Sequence, residues 1–144
     1  MPVVESQASV GARPADVFAF LHDPAQRPVW DVAVDLCNLE GDEVAVGSRL
    51  HLRGRRKAPS WVGEYVEVAP PGRSVLRLVD GVGMPFSDYR QTIEIAADGR
   101  LTTVTLRLDY AVRGPLVVIE RFTVRGRLAR ALRDSARKVE LRFS

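Results

Sequence analysis

The sequence predicts an α+β protein in which a strongly curved, antiparallel, seven-stranded sheet wraps around one long C-terminal helix. Three observations lead to this prediction. Seven segments alternate apolar and polar residues as strands do. Short turn sequences separate most of these segments, which favours antiparallel neighbours because parallel crossovers need far longer connections. The segment from Gly114 to Ser144 repeats apolar residues at helical spacing.

The first predicted strand is followed by two short helices. Val3–Val10 alternates apolar with polar or small residues, as a half-buried strand does. Pro14 suits the first turn of a helix that ends at the His-Asp-Pro sequence of residues 22–24. A second helical piece then ends near Trp30. This order places two short helices between strands 1 and 2.

Six further strands are predicted before the last helix, at residues 32–39, 48–53, 61–68, 74–79, 87–96 and 101–112. In three of them a polar side chain is in phase with apolar ones and is expected on the inner face. Glu64 follows the phase of Val62, Val66 and Val68; Tyr89 and Gln91 follow Ile93 and Ile95; Tyr110 follows Leu106 and Leu108.

The C-terminal helix is expected to start after Gly114-Pro115 and to bury a single seam against the sheet. The seam consists of Val118, Phe122, Arg125, Ala129, Leu132, Ala136, Val139 and Phe143. Arg125 is its charged exception. A buried Arg125 would need a partner, and Glu64 is the attractive choice, although Arg125 could also reach water at the open end of the sheet.

Composition and charge narrow the functional classes. With 144 residues, 46% of them hydrophobic, the chain fits one globular domain. We expect a cytoplasmic protein, because no membrane span or signal peptide is recognisable. Residues 116–144 hold eight Arg or Lys against three Asp or Glu. Without interleaved aromatic residues this helix is expected to be solvated rather than to bind nucleic acid, while transient membrane contact stays open.

Catalytic and metal-binding motifs are mostly missing. The chain has no phosphate-binding loop, no dinucleotide glycine fingerprint and no His-Glu-x-x-His sequence. Its two histidines, His22 and His51, cannot form a site of several histidines, and the single Cys37 excludes an internal disulfide. We therefore expect neither a metal nor a cofactor.

The order of these elements resembles the START-like superfamily, also called SRPBCC, which includes the bacterial polyketide cyclase/dehydrase group. The resemblance is carried by PADVFAFLHDPAQRPVWD at residues 14–31, by the Pro-Pro-Gly hairpin at 70–72 and by Arg-Gly-Pro-Leu at 113–116. The Gly-Gly-Thr turn often seen before the last strand is replaced here by Asp-Gly-Arg-Leu-Thr at 98–102.

The resemblance implies a helix-grip fold, a single START-like ligand-binding domain over residues 1–144, and an apolar cavity between sheet and helix. A small hydrophobic molecule of lipid, isoprenoid or aromatic polyketide type is the expected partner of a monomer or homodimer. The alternative is a polyketide cyclase/dehydratase that acts in the same cavity. The candidate ligand-binding residues are Trp30, Glu64, Tyr89, Gln91, Tyr110, Phe122 and Arg125.

Overall fold

A single antiparallel sheet of seven strands curls into a half-barrel, in the spatial order β1-β7-β6-β5-β4-β3-β2. The computed structural model describes residues 1–81, 83–114 and 123–144. The strands are β1 Val3–Val10, β2 Val34–Leu39, β3 Arg49–Gly54, β4 Trp61–Ala69, β5 Arg73–Asp80, β6 Phe86–Asp98 and β7 Leu101–Val112. The helices are α1 Pro14–Leu21, α2 Arg27–Trp30 and α3 Arg125–Arg142, with a 3-10 turn at Pro24–Gln26.

The helix-grip fold predicted from the sequence is therefore confirmed. β1 and β7 have the predicted bounds, and the other strands differ by no more than two residues at either end. β1 pairs with β7, so that the first strand lies beside the last one. None of the helices in the described ranges is long and apolar enough to span a membrane.

The inner face of the long β6–β7 hairpin forms much of the core. Tyr89, Ile93 and Ile95 of β6 are buried, which confirms the predicted phase of that strand. On β7, Val104 and Tyr110 are fully buried at 0% exposure. α3 lies across β1 and the adjoining part of β7.

The predicted seam of the C-terminal helix is confirmed over most of its described length. Ala136 and Val139 are buried, and Ala129, Leu132 and Phe143 pack against the core. Val118 and Phe122 lie outside the described residues. Arg125 is exposed, so it lies on the solvent side of the helix start and not on a buried seam.

The prediction for β4 was wrong in phase. Trp61, Gly63 and Tyr65 face the core, whereas Glu64 lies on the outer face. A Cβ at Gly63 would lie 2.7 Å from Cγ of Leu76, so the small residue makes room for a core side chain. The pairing with β5 shifts between Tyr65 and Glu67, and this irregularity returns Val68 to the inner side, where it packs against the core.

Candidate ligand-binding site

A cavity of about 350 Å³ lies between the first turns of α3, the connection before β4 and the start of β6. We call it the mouth cavity. Its walls are mainly apolar and include aromatic rings from two strands, β4 and β6. The lining residues are Ala33, Lys57, Ala58, Pro59, Trp61, Met84, Pro85, Phe86, Tyr89, Val124, Arg127, Leu128 and Ala131.

A smaller space of about 70 Å³ lies deeper, between α2, α3 and the inner face of the sheet. We call it the polar chamber after the polar groups that Arg27, Trp30, Asp31, Gln91 and Ser135 bring to a wall that is otherwise mainly apolar. The mouth cavity and the polar chamber are neighbours. Four residues, Ala33, Tyr89, Leu128 and Ala131, border both of them.

The chamber wall contains a buried ion pair that the sequence did not reveal. Nε of Arg27 donates to Oδ2 of Asp31 at 2.9 Å, and the two side chains are only 4% and 11% exposed. Burial lowers the pKa of Arg27, but the charge and hydrogen bond of Asp31 raise it, and the net shift is upward. Nη2 of Arg27 also donates to Oε1 of Gln91, which ties α2 to β6.

Trp30 lies beside this pair and is only 3% exposed. The guanidinium carbon of Arg27 is 4.7 Å from the centre of the indole ring, a cation–π distance that holds the ring in place. The indole Nε1–H has no hydrogen-bond partner within the described part of the chain. A buried, unpaired donor of this kind is uncommon in folded proteins.

Tyr89 stands at the boundary between the two spaces. Its ring packs edge-on against Trp61 at 5.1 Å and lies 4.9 Å from Phe86. Its hydroxyl accepts a hydrogen bond from Nε2 of Gln91 at 3.3 Å. Burial raises the pKa of Tyr89 to about 12, so that the phenol is protonated near neutral pH.

The structure brings three of the predicted site residues together and places Tyr110, Glu64 and Arg125 elsewhere. Trp30, Tyr89 and Gln91 surround the polar chamber. Tyr110 is buried behind Phe86, with ring centres 5.8 Å apart, and borders neither space. Glu64 points elsewhere, since its carboxylate is 3.5 Å from Arg49 on the outer face.

Of the two remaining candidates, the structure describes only Arg125. Arg125 is exposed and borders neither space, and the carboxylate of Glu64, its suggested partner, lies against Arg49. Phe122 lies outside the described residues. Arg27 and Asp31 were not among the predicted site residues, although their spacing of four residues is the spacing at which side chains meet on a helix.

A second depression, of about 360 Å³, lies on the outer side of β2, β3 and β4. Two side chains of this depression have acidic neighbours. His51 lies 3.3 Å from Glu40, and Arg53 lies 2.7 Å from Asp35. Among the described residues, no cluster of side chains could hold a metal ion.

Comparison with known proteins agrees with this architecture. Residues 1–143 match the family described as polyketide cyclase / dehydrase and lipid transport. No curated protein is significantly similar to the chain in sequence. A Thermus thermophilus protein of known structure is 19% identical, with a TM-score of 0.81 over 99% of this chain and 97% of that one.

Two other solved structures share the fold. A START superfamily protein from Mycobacterium smegmatis is 19% identical, with a TM-score of 0.76 over 98% of this chain and 96% of that one. Norcoclaurine synthase from Thalictrum flavum is 16% identical, with a TM-score of 0.68 over 97% of this chain and 84% of that one. At these identities the likeness establishes the fold alone. The match over residues 1–143, together with the helix-grip architecture, makes the chain a member of the polyketide cyclase/dehydrase and lipid transport family.

Proposed function

We propose that the protein binds a small hydrophobic molecule in the mouth cavity. The observation that carries the proposal is a cavity of about 350 Å³ with mainly apolar walls, placed between α3 and the sheet. This volume falls within the roughly 300–1,000 Å³ of small-molecule sites, which are likewise mostly apolar with a few placed polar groups. A lipid, an isoprenoid or an aromatic polyketide fits this description.

Binding in this cavity draws mainly on apolar burial. Trp61, Phe86 and Tyr89 offer large aromatic surfaces, and Leu128 and Met84 complete the wall. Such side chains gain free energy in proportion to the apolar area that the ligand removes from water. The rim carries Lys57 and Arg127, whose heads can remain in water while their stems line the opening.

A second candidate function is a cyclase or dehydratase that acts in the same cavity. The specific observation in its favour is the buried hydroxyl of Tyr89, which is protonated near neutral pH and can donate to the oxygen of an enolate. The family description also names enzymes, and norcoclaurine synthase, which shares the fold, is itself a synthase. A Tyr89→Phe variant separates the two functions, since it abolishes turnover but leaves apolar binding intact.

The binding proposal is tested with the uncharged fluorescent probe N-phenyl-1-naphthylamine. The variant Ala131→Trp places a large ring where the mouth cavity meets the polar chamber, because Ala131 borders both. We expect the wild type to bind the probe and Ala131→Trp to lose most of that binding. The control is Ala97→Trp, at an exposed position near the end of β6.

The three proteins give a clear comparison if their thermal unfolding is similar. Binding that is retained in Ala97→Trp and lost in Ala131→Trp supports the mouth cavity as the site. Equal binding by all three proteins contradicts the proposal. Turnover by the wild type of a reactive polyketide chain into a cyclised product would favour the second function.

A further inference from the structure

We infer that the polar chamber receives the polar end of the ligand, and that this end is an uncharged oxygen acceptor, such as a ketone or quinone carbonyl, held by Trp30 and Tyr89. This inference rests on the proposed function, because it takes the mouth cavity as the place of the ligand's apolar part. It adds a chemical class to the ligand and assigns a role to a chamber that apolar binding alone does not need.

Trp30 and Tyr89 border the chamber, and the hydrogen-bond donor of each has no acceptor among the described residues. Nε1 of Trp30 has no partner, although the residue is only 3% exposed. Leaving such a donor unpaired costs about 1–3 kcal/mol, which an acceptor on the ligand recovers. The second donor is the hydroxyl of Tyr89, which is 8% exposed.

The orientation of the Tyr89 hydroxyl follows from its neighbours. Arg27 donates to Oε1 of Gln91, and this contact fixes which end of the amide is the oxygen. Nε2 of Gln91 must then face Tyr89 and donate to its hydroxyl oxygen at 3.3 Å. The hydroxyl oxygen is thereby used as an acceptor, and its own proton is available to a ligand.

The charges around the chamber cancel, which argues against an anionic end. Arg27 is paired with Asp31 at 2.9 Å. Arg107 also borders the chamber, but it belongs to the outer face of β7 and is paired there with Asp109 at 2.8 Å. A carboxylate or phosphate would lose its hydration in this buried space without meeting an unpaired cation, and that loss is expensive. A neutral carbonyl oxygen needs only donors.

The dimensions agree with a small terminal group. The chamber has about 70 Å³, which exceeds the roughly 10–15 Å³ needed by one water molecule on this measure. It is too small for a ring system with substituents, whereas the mouth cavity has about 350 Å³. The ligand therefore has a larger apolar part and one compact polar end that passes Tyr89, Leu128 and Ala131.

The test compares two aliphatic probes of matched length, 2-tridecanone and dodecanoate, as competitors of N-phenyl-1-naphthylamine at neutral pH. We expect the ketone to compete at a concentration about tenfold lower than the carboxylate. Trp30→Phe and Tyr89→Phe should each weaken binding of the ketone about fivefold to tenfold, the effect of one lost hydrogen bond. Binding of N-phenyl-1-naphthylamine itself should change little in either variant.

The matched control is Trp61→Phe, which makes the same truncation in the mouth cavity, where Trp61 is 8% exposed. Trp61→Phe should change binding of 2-tridecanone and of dodecanoate by the same factor. A measurement that needs no variant is the infrared carbonyl band of 2-tridecanone bound to the wild type. Hydrogen bonding lowers its wavenumber below the value in hexane.

The outcomes separate the inference from the function on which it rests. Failure of N-phenyl-1-naphthylamine to bind contradicts the proposed function. Normal binding of that probe, combined with a carbonyl band at its hexane position or with stronger binding of dodecanoate, overturns the inference alone. A lowered band together with selective loss of ketone binding in the Trp30 and Tyr89 variants supports it.

Discussion

Arg27 and Asp31 form an ion pair inside the protein, with Nε of the guanidinium 2.9 Å from Oδ2 of the carboxylate. They are four residues apart, so one turn of α2 brings them together. Oδ1 of Asp31 also accepts from the backbone N–H of Ala33 at 3.0 Å. The pair therefore fixes the end of α2, and through Gln91 it joins α2 to the sheet.

Breaking this pair from one side should destabilise the protein strongly. Asp31→Asn can keep the bond to Ala33 but leaves the charge of Arg27 buried without compensation. We expect the free energy of unfolding to fall by about 3–5 kcal/mol, measured by urea denaturation. The double variant Arg27→Met/Asp31→Asn should be less destabilised than the sum of the single variants, because neither charge is then left alone.

The matched control for that experiment is the exposed pair of Arg53 and Asp35, whose side chains are 61% and 37% exposed. Asp35→Asn should change the free energy of unfolding by no more than about 1 kcal/mol. If Asp31→Asn lowers the free energy of unfolding by as little as Asp35→Asn does, the buried pair stabilises the protein no more than the exposed pair.

His22 should make the protein sensitive to acid. Its Nδ1 is 2.8 Å from the carbonyl oxygen of Phe18, so this nitrogen carries the proton, and Nε2 accepts from Oγ of Ser74 at 2.6 Å. Burial lowers the pKa of His22 from 6.5 to about 4. Between these values the unfolded chain binds a proton that the folded protein does not. Folding stability therefore decreases as the pH falls through this window, by about 3 kcal/mol in total.

The measurement is the free energy of unfolding of the wild type and of His22→Gln across the same pH range. The variant should show a flatter pH dependence between pH 6.5 and about 4, the window set by the two pKa values. His51→Gln is the control, since the side chain of His51 is 47% exposed. If His22→Gln and the wild type give parallel curves, the buried imidazole does not carry the acid sensitivity.

Cys37 should react slowly with thiol reagents. It is 6% exposed, and burial raises its pKa from 9.0 to about 11. The thiolate is the reactive form, so at slightly alkaline pH this shift alone reduces the rate of alkylation by about 100-fold. Iodoacetamide labelling of the native protein, compared with labelling in concentrated urea, measures the effect. Equal rates in the two conditions would mean that the thiol is accessible and unperturbed.

Glu64 should have no role in ligand binding. Its carboxylate lies on the outer face of β4, 3.5 Å from Nε of Arg49. We expect Glu64→Gln to bind N-phenyl-1-naphthylamine as the wild type does and to lose less than about 1 kcal/mol of stability. A clear loss of probe affinity in this variant would contradict the placement of Glu64 outside the site.

The phase of β6 could be predicted from the sequence, whereas that of β4 could not. In β6 the residues Tyr89, Gln91, Ile93 and Ile95 mark one face without competition from the other. In β4 the outer face also carries valines, and Val66 is 39% exposed. Alternation of apolar residues therefore pointed to the wrong face.

The inner face of β4 is determined by contacts with the neighbouring strand, which the sequence of β4 does not contain. Gly63 belongs to the inner face because the side chain of Leu76 occupies the space above it. The register irregularity after Tyr65 then changes the phase for Val68. Neither the neighbour of a glycine nor a bulge is visible in a periodic pattern.

The charged residue that matters was also misplaced. Arg125 was predicted to bind ligand because it interrupts an apolar seam, but it is exposed at the start of α3. Arg27, which was not among the predicted site residues, is only 3% exposed. Its burial follows from the packing of α2 against β2 and α3, which a spacing of four residues between Arg27 and Asp31 does not reveal.

The central claim is that the mouth cavity binds a small hydrophobic molecule, and native mass spectrometry of the gently purified protein tests it most directly. We expect the wild type and Ala97→Trp to carry an additional small-molecule mass that is released on denaturation and extracted into organic solvent. Ala131→Trp should carry none. A wild type that shows only the mass of the polypeptide and also fails to bind N-phenyl-1-naphthylamine would contradict the claim.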